Sequence, residues 1–315
     1  VAFTPLGGPL IGNTTLHIQS TWLTSLGDFR CRFRQRAFFE DANASVTSPT
    51  HSTCLSPPHW EPHSGVQRVE IELTLNGQDF MGLGTHTGIY TYYPLDSAVG
   101  LSIQGLTPAG GPSNGGTLIQ VTGTGFARYG RLMCQFEGEA SGPKLVVAAS
   151  LSSSALLTCV SPALNQAVLP FEPYAVSVTV NGHLNAFTHA DSHFVYYDSA
   201  STVRLSHMYP QGGPIAGGTM VSIWGSGFRD LGHGAGLMCA FDEVSVAATR
   251  QHRHVEWLKC MAPPTLSYVA EQGSCPPPGS GLHPTVHVRV TLNGDTSAMS
   301  PALTVDSLLY SYFKA

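Results

Sequence analysis

Apolar and polar side chains alternate with a period of two residues in many short stretches of the chain, and no stretch keeps a helical period. Clear examples are Leu118–Val121 and Val286–Leu292. Alternation of this kind predicts β-strands that bury one face. Because Gly- and Pro-rich segments separate the stretches, the pattern indicates an all-β fold with many turns.

These stretches belong to a pattern that occurs three times, at intervals of roughly a hundred residues. Each copy begins with Pro, Gly-Gly-Pro and a second tight turn. It continues with Cys-x-Phe, a second cysteine near a proline, a strand that ends in Asn-Gly, and a closing aromatic strand. Internal repetition predicts tandem domains, and the landmarks place them at residues 1–97, 98–200 and 201–315. The first strand of the first copy is expected to be incomplete.

Two kinds of turn divide each copy into strands. The first threonine follows paired glycines, and Asn13 replaces the second glycine in copy 1; Asn is the residue that best tolerates a left-handed backbone. Asn-Gly, at residues 76–77, 181–182 and 293–294, predicts a type I′ hairpin. About seven short strands in each copy are typical of an immunoglobulin-like sandwich of two sheets.

The closing strands of copies 1 and 2 end in tyrosine pairs, Tyr92-Tyr93 and Tyr196-Tyr197. Since successive side chains of a strand point to opposite faces, one tyrosine of each pair is expected to face the core and the other solvent. The outward tyrosines are expected to be ordinary sheet-surface residues, with a contact to a partner as the alternative.

Six of the seven cysteines form one pair in each copy: Cys31 with Cys54, Cys134 with Cys159, and Cys239 with Cys260. One pair per repeat at the same landmarks predicts one disulfide in each domain. Disulfides persist in oxidising compartments, so the segment is expected to be extracellular or lumenal. The alternative is three pairs of buried free thiols in a cytosolic protein.

Two N-glycosylation sequons agree with passage through the secretory pathway. They are Asn13-Thr14-Thr15, in a predicted turn, and Asn43-Ala44-Ser45, in a predicted polar loop.

Cys275 has no counterpart in the other copies and lies in a Pro-rich insertion near residues 270–281 of copy 3. An odd cysteine of a secreted protein indicates a disulfide to another chain or another segment. A free or capped thiol is the alternative.

Composition excludes several other classes of function. Charged residues make up 11% of the chain, the net charge is −5, and no basic stripe is present, so nucleic-acid binding has no electrostatic support. No apolar run approaches the length that spans a bilayer, so the segment is expected to lack a membrane span. The chain begins at Val1 without an initiator methionine or a signal peptide, and we expect a mature form or a piece of a longer protein.

No catalytic residue, metal site or cofactor site is expected. Ser113 fits the pattern Gly-x-Ser-x-Gly of a nucleophile elbow, but the other copies have Leu10 and Ile215 at the same position. Five of the fourteen histidines fall in two loops: His51, His59 and His63 in the first, and His252 and His254 in the second. Prolines prevent the helix that would align two of the first group as ligands, so solvated loop histidines are expected.

The complete set of landmarks resembles the IPT/TIG domain, an immunoglobulin-like fold of plexins, Met-type receptors, fibrocystin-like surface proteins and some transcription factors. The resemblance covers nearly the whole chain. It is weakest in copy 1, where residues 20–23 replace Gly-x-Gly-Phe. It implies extracellular display, protein–protein contact or spacer roles, and no catalytic residues.

The expected architecture is therefore three tandem immunoglobulin-like sandwiches, joined by short linkers at residues 95–100 and 198–202 into an elongated rod. The expected function is that of a non-enzymatic structural segment of a large extracellular fibre, coat or cell-surface protein. Its expected partners are other copies or domains of the same assembly, or a protein ligand, and glycans. The alternatives are a plexin-like receptor stalk or ligand-binding array, and accessory domains of a carbohydrate-active enzyme.

Overall fold

The computed structural model describes residues 1–21, 27–61, 65–83, 88–96, 99–138, 144–165, 170–189, 191–251, 256–265, 285–296 and 302–313. In these ranges the chain forms twenty-five β-strands and no helix, which confirms the all-β prediction. The strands form three hydrogen-bonded sheet units, one in each repeat. Within the described ranges, no helix has the length and apolar character needed to cross a bilayer.

Repeat 1 runs in the order β1-β3-β6-β5-β4-β7-β9-β2, and β8 pairs with β7. Its strands are β1 (Ala2–Thr4), β2 (Gly7–Pro9), β3 (Thr15–Gln19), β4 (Arg30–Gln35), β5 (Phe38–Ser48), β6 (His51–Leu55), β7 (Gln67–Thr74), β8 (Met81–Gly82) and β9 (Ile89–Tyr93).

Repeat 2 has the same order without the short eighth strand, β10-β12-β15-β14-β13-β16-β17-β11. Its strands are β10 (Ser102–Thr107), β11 (Gly110–Pro112), β12 (Leu118–Thr124), β13 (Met133–Gly138), β14 (Leu145–Ser153), β15 (Leu156–Val160), β16 (Glu172–Thr179) and β17 (Ser192–Tyr197).

Repeat 3 repeats this order as β18-β20-β23-β22-β21-β24-β25-β19. Its strands are β18 (Arg204–Tyr209), β19 (Gly212–Pro214), β20 (Met220–Ser226), β21 (Met238–Phe241), β22 (Val244–Gln251), β23 (Trp257–Met261), β24 (Thr285–Thr291) and β25 (Leu308–Phe313).

One strand in each repeat joins the two layers of the sandwich. In repeat 1, the first half of β5 pairs with β4 and its second half pairs with β6. The layer β1-β3-β6 therefore continues through β5 into the layer β4-β7-β9-β2. The short Gly-Gly-Pro strand β2 pairs in parallel with the closing strand β9, and β11 and β19 do the same with β17 and β25.

The three cores are built from equivalent rings. The ring of Phe33, from Cys-x-Phe, meets Tyr90 of the closing strand edge-on at 5.6 Å. Phe136 meets Phe194 at 5.9 Å and Phe241 meets Tyr310 at 5.5 Å in the same geometry. Edge-on aromatic pairs add to the stabilisation that comes from their buried area.

The predicted repeat boundaries agree in position with these sheets but remain predictions. The strands of the three repeats occupy residues 2–93, 102–197 and 204–313. The boundary at residues 97 and 98 lies outside the described residues.

The paired-glycine turn follows the sequence prediction. Gly115 and Gly116 have φ values of 75° and 85°, and Gly217 and Gly218 have φ values of 75° and 86°. Asn13 takes the second of these positions in repeat 1 with a φ of 62°, a conformation that asparagine tolerates better than most residues.

Candidate functional site: the joints between repeats

The closing tyrosines are arranged differently from the sequence prediction, because both members of each pair are buried. Tyr92 and Tyr93 are 1% and 2% exposed, and Tyr196 and Tyr197 are both 0% exposed. The prediction that one of each pair faces solvent is therefore wrong. Strand geometry does send the second tyrosine away from its own core, but the following repeat covers it.

The first joint, between repeats 1 and 2, is centred on Tyr93. Its ring is part of the buried core cluster of repeat 2 and stacks on Tyr129, with centroids 5.3 Å apart and planes 8° apart. The backbone N–H of Leu6 donates to the carbonyl of Tyr129. A ring from one repeat thus forms part of the core of the next.

The second joint, between repeats 2 and 3, repeats this arrangement around Tyr197. The ring belongs to the core cluster of repeat 3, and its hydroxyl donates to the carbonyl of Ala302 at 3.4 Å. The backbone N–H of Ala109 donates to the carbonyl of Leu231 at 2.6 Å. Leu231 occupies the place of Tyr129, three residues after the phenylalanine of Gly-x-Gly-Phe.

The asparagine of Asn-Gly also reaches across the joint. In repeat 2 the Oδ1 atom of Asn181 accepts from the Thr179 hydroxyl at 2.9 Å and from the His183 backbone N–H at 2.9 Å. With its oxygen used inside the turn, the amide nitrogen points outward and donates to the carbonyl of Gly7 in repeat 1 at 3.2 Å.

Asn293 of repeat 3 has the same orientation. Its oxygen accepts from the Thr291 hydroxyl at 2.9 Å, and its nitrogen donates to the Thr117 hydroxyl of repeat 2 at 3.4 Å. In repeat 1 the nitrogen of Asn76 instead donates to Asp79 at 2.9 Å. The two asparagines that face a preceding repeat therefore bind it, and the third binds within its own turn.

These contacts replace the predicted type I′ hairpin. Such a turn needs positive φ at both central residues, but only Gly182, at 80°, has it, and Asn181 does not. Strands β16 and β17 are also separated by twelve residues. The type I′ prediction is therefore wrong, because the asparagine closes a local turn with its side chain. A hairpin does lie at residues 76–77, where β7 pairs antiparallel with β8, but six residues (75–80) connect the two strands.

The linkers are held by their own hydrogen bonds. In the first linker, the Leu101 N–H donates to the Pro94 carbonyl at 2.9 Å and the Asp96 N–H donates to the Leu101 carbonyl at 2.8 Å. In the second, Asp198 accepts from the Ser201 hydroxyl at 2.6 Å and the Ala200 N–H at 3.0 Å. These bonds lower the pKa of the Asp198 carboxyl, mainly through Ser201. Short linkers bonded in this way restrict the swing of neighbouring repeats.

Joint chemistry is largely uncharged. Burial raises the pKa of Tyr93 and Tyr197 above their ordinary values, so both phenols are neutral at physiological pH. A polar contact lies at the rim of the first joint, where the His189 N–H donates to Asp96 at 2.7 Å. Across the second joint, the Arg229 guanidinium lies over the Phe171 ring at 5.3 Å. Apolar rings, backbone donors and amides make the other contacts that hold the repeats together.

We use the term distal surface for the Gly-Gly-Pro strand, the residue before it and the last aromatic residue of the closing strand. It comprises residues 6–9 and Tyr93 in repeat 1, residues 109–112 and Tyr197 in repeat 2, and residues 211–214 and Phe313 in repeat 3. In repeats 1 and 2 the following repeat is seated on this surface.

The six paired cysteines meet in the described structure as three disulfides. They join Cys31 to Cys54, Cys134 to Cys159, and Cys239 to Cys260, with Cα atoms 6.5, 6.6 and 6.3 Å apart. Each disulfide lies beside the strand that changes layers. In repeat 1, Cys31 is opposite Ala42 and Cys54 is opposite Ala44 on β5. The bond therefore links the two layers where they join.

The sequons lie on the surface of repeat 1. Asn13 is exposed in the paired turn, and Asn43 is exposed in strand β5. The prediction of a polar loop at Asn43 is wrong, because residues 38–48 form one continuous strand. Cys275, like the whole insertion at residues 270–281, lies outside the described residues.

His59 also departs from the sequence interpretation. It is 2% exposed; its ring stacks on Trp60, with centroids 4.3 Å apart, and meets Tyr92 at a tilt, with centroids 5.1 Å apart. Its backbone N–H donates to the Leu10 carbonyl, which folds the loop back onto the sandwich. The prediction of a solvated loop histidine is therefore wrong for His59. His51 is exposed but lies in strand β6, and His63, His252 and His254 lie outside the described residues.

Two functional contacts were not predicted from the sequence. One is made by the loop residue that covers the preceding repeat, Tyr129 in repeat 2 and Leu231 in repeat 3. Both residues lie three positions after the phenylalanine of Gly-x-Gly-Phe, and this shared position could have indicated the contact. The other explains the proline near the second cysteine. The tyrosine hydroxyl of the closing strand donates to that proline's carbonyl, as Tyr92 does to Pro57 at 2.8 Å, and the other repeats have the same bond.

Together, the strand order, the inter-layer disulfides and the buried joints define a tandem array of three immunoglobulin-like β-sandwiches. The family model of the IPT/TIG domain matches residues 101–196. Repeat 2 is therefore an IPT/TIG domain, and repeats 1 and 3 share its strand order and landmarks.

The chain is also similar to several known proteins, and it spans only a small part of the first two. It is 34% identical over 130 residues to Fibrocystin-L of Mus musculus, which covers 41% of this chain and 3% of that protein. It aligns with the Plexin A4 full extracellular region at 11% identity and a TM-score of 0.42, covering 98% of this chain and 28% of that one. Chicken CNTN1 domains FN1–FN3 align at 11% identity and a TM-score of 0.26, covering 96% of both chains.

Proposed function

We propose that the chain is a non-enzymatic spacer and contact segment of a large extracellular fibre, coat or cell-surface protein. The observation that carries this proposal is the pair of equivalent joints, each with a tyrosine of one repeat buried in the core of the next. Burial of a large ring at each boundary opposes bending. A stiff array keeps its ends at a fixed separation, which is what a spacer requires.

The disulfides support an extracellular location. Three bonds at equivalent positions would be maintained in an oxidising compartment and lost in the cytosol. The exposed sequons at Asn13 and Asn43 are accessible to glycosylation. In this proposal glycans cover part of repeat 1, and Cys275 provides a covalent link to another chain of the assembly.

Secretion from cultured animal cells behind a heterologous signal peptide tests the location. We expect wild-type protein to be secreted with all three disulfides formed, and glycosidase treatment to reduce the mass of the wild-type protein and to leave the Asn13→Gln, Asn43→Gln double variant unchanged. A variant with all six paired cysteines changed to serine should be retained in the cell. Equal secretion of both proteins, together with free cysteines in the wild type, would contradict the extracellular proposal.

A further inference from the structure

The distal surface of repeat 3 is uncovered, although its counterparts in repeats 1 and 2 are buried. Phe313 is 43% exposed, compared with 2% for Tyr93 and 0% for Tyr197. All three residues of β2 and of β11 are buried, whereas Gly212 and Pro214 of β19 are only partly buried. The strand pairing beneath this surface is the same in all three repeats.

The backbone of repeat 3 also presents the donor that both joints use. Leu6 and Ala109 donate their N–H groups to carbonyls of the following repeat. Gln211 has the same position, immediately before Gly-Gly-Pro, and is exposed. Its N–H donates to no described residue. A carbonyl presented by a partner would complete the pattern.

The chemistry of the surface restricts the partner. Residues 211–214 and Phe313 include no ionisable side chain, so nothing in the surface itself favours a charged ligand. The surface offers one aromatic ring beside one backbone donor. The two loops seated on the equivalent surfaces provide an apolar side chain and a carbonyl from the same residue, Tyr129 or Leu231.

We propose that the distal surface of repeat 3 is a docking site for another sandwich of this kind. The partner repeat would seat the loop after its Gly-x-Gly-Phe on Phe313 and bond the Gln211 N–H. Its Asn-Gly turn would lie over the start of repeat 3, as Asn181 and Asn293 lie over repeats 1 and 2. This inference rests on the two joints and not on the extracellular location.

An extended chain, in which residues 96–200 are repeated after Ala315, tests the proposal. This addition reproduces the seven-residue spacing between Tyr93 and Leu101, because Lys314, Ala315 and residues 96–100 separate Phe313 from the new Leu101. The sequence around Gln211 still occurs once, so hydrogen exchange there can be followed by mass spectrometry of overlapping peptides. Exchange at the Gln211 amide should be at least about tenfold slower than in the 315-residue chain.

Two substitutions distinguish docking from simple attachment. Phe313→Ser in the extended chain should return the Gln211 amide to the exchange rate of the 315-residue protein. Leu309→Ser is the matched control, since Leu309 is 58% exposed on the same strand but lies outside the distal surface; this variant should keep the slow exchange.

A second extended chain, with residues 200–315 added after Ala315, tests the proposal if the first extended chain does not fold. It reproduces the five-residue spacing between Tyr197 and Val203, and Phe313→Ser in its first copy is compared with Leu309→Ser by thermal unfolding. Docking is supported if Phe313→Ser lowers the unfolding temperature of this chain and Leu309→Ser does not. Unchanged Gln211 exchange in the first chain, or equal effects of both substitutions in the second, overturns the proposal and leaves the surface to a partner of another kind.

Discussion

At the residue scale, the joints depend on side chains whose direction is set within one repeat and whose burial is completed by the next. Tyr93 and Tyr197 lie on the outer face of a closing strand, as strand alternation requires, yet they are 2% and 0% exposed. The same physical rule therefore gives opposite burial depending on whether a repeat follows. Phe313, at the same position in repeat 3, shows the uncovered case.

Tyr197→Ala should lower the free energy of unfolding by about 3 to 5 kcal/mol, because it leaves a ring-sized cavity in the core of repeat 3. Phe313→Ala, the matched change at an exposed position, should cost less than about 0.5 kcal/mol. Denaturant unfolding of the two variants and the wild type measures both values. Equal losses for the two variants would show that the ring contributes within its own repeat and not across the joint.

His59 makes the stability of repeat 1 depend on pH. Burial lowers the pKa of its imidazole, so the folded state favours the neutral form more than the unfolded chain does. The stabilisation is present above the unfolded-state value of about 6.5 and is lost as the pH falls below it.

The unfolding midpoint of repeat 1 should therefore fall between pH 7 and pH 5 more steeply in the wild type than in His59→Gln. Glutamine keeps an acceptor near the Glu61 N–H, which donates to the imidazole in the wild type at 3.1 Å. Thermal unfolding at a series of pH values provides the comparison. Parallel pH profiles for the two proteins would exclude His59 as the source.

At the element scale, much of each sandwich could be predicted from sequence and the connection between its layers could not. Alternation predicts strands such as β12, and the left-handed turn at Asn13 follows from residue chemistry. Strand β5 is long and largely exposed, so nothing in its pattern indicates that its two halves pair with different layers. The type I′ prediction for the Asn-Gly turns was wrong for a related reason. The two residues favour a tight hairpin locally, but the hydrogen bonds of the asparagine side chain determine the turn.

The disulfides act at the strands that change layers. Replacing Cys134 and Cys159 together by alanine should lower the free energy of unfolding of repeat 2 by about 3 kcal/mol, the value that chain entropy gives for a loop of this size. Cys275→Ser, which removes the seventh cysteine, is the control and should leave that transition unchanged. If the double variant unfolds at the wild-type midpoint, the bond does not constrain the repeat.

At the scale of the whole molecule, the sequence predicted the number of repeats and their tandem order, but not the contacts between them. A single repeat cannot reveal what covers its outer tyrosine. The alignment of the three copies contains part of the answer, since Tyr129 and Leu231 occupy one position. Recognising them as joint residues requires knowing that this loop lies beside the distal surface of the preceding repeat.

The central claim is that the joints hold the three repeats in fixed relative orientations. Residual dipolar couplings of the backbone amides test it most directly, because each repeat reports its own orientation in a weakly aligning medium. We expect one alignment tensor to fit the couplings of all three repeats in the wild type, and Tyr197→Ala to separate repeat 3 from the other two. Three wild-type tensors of different magnitude and direction would contradict the account.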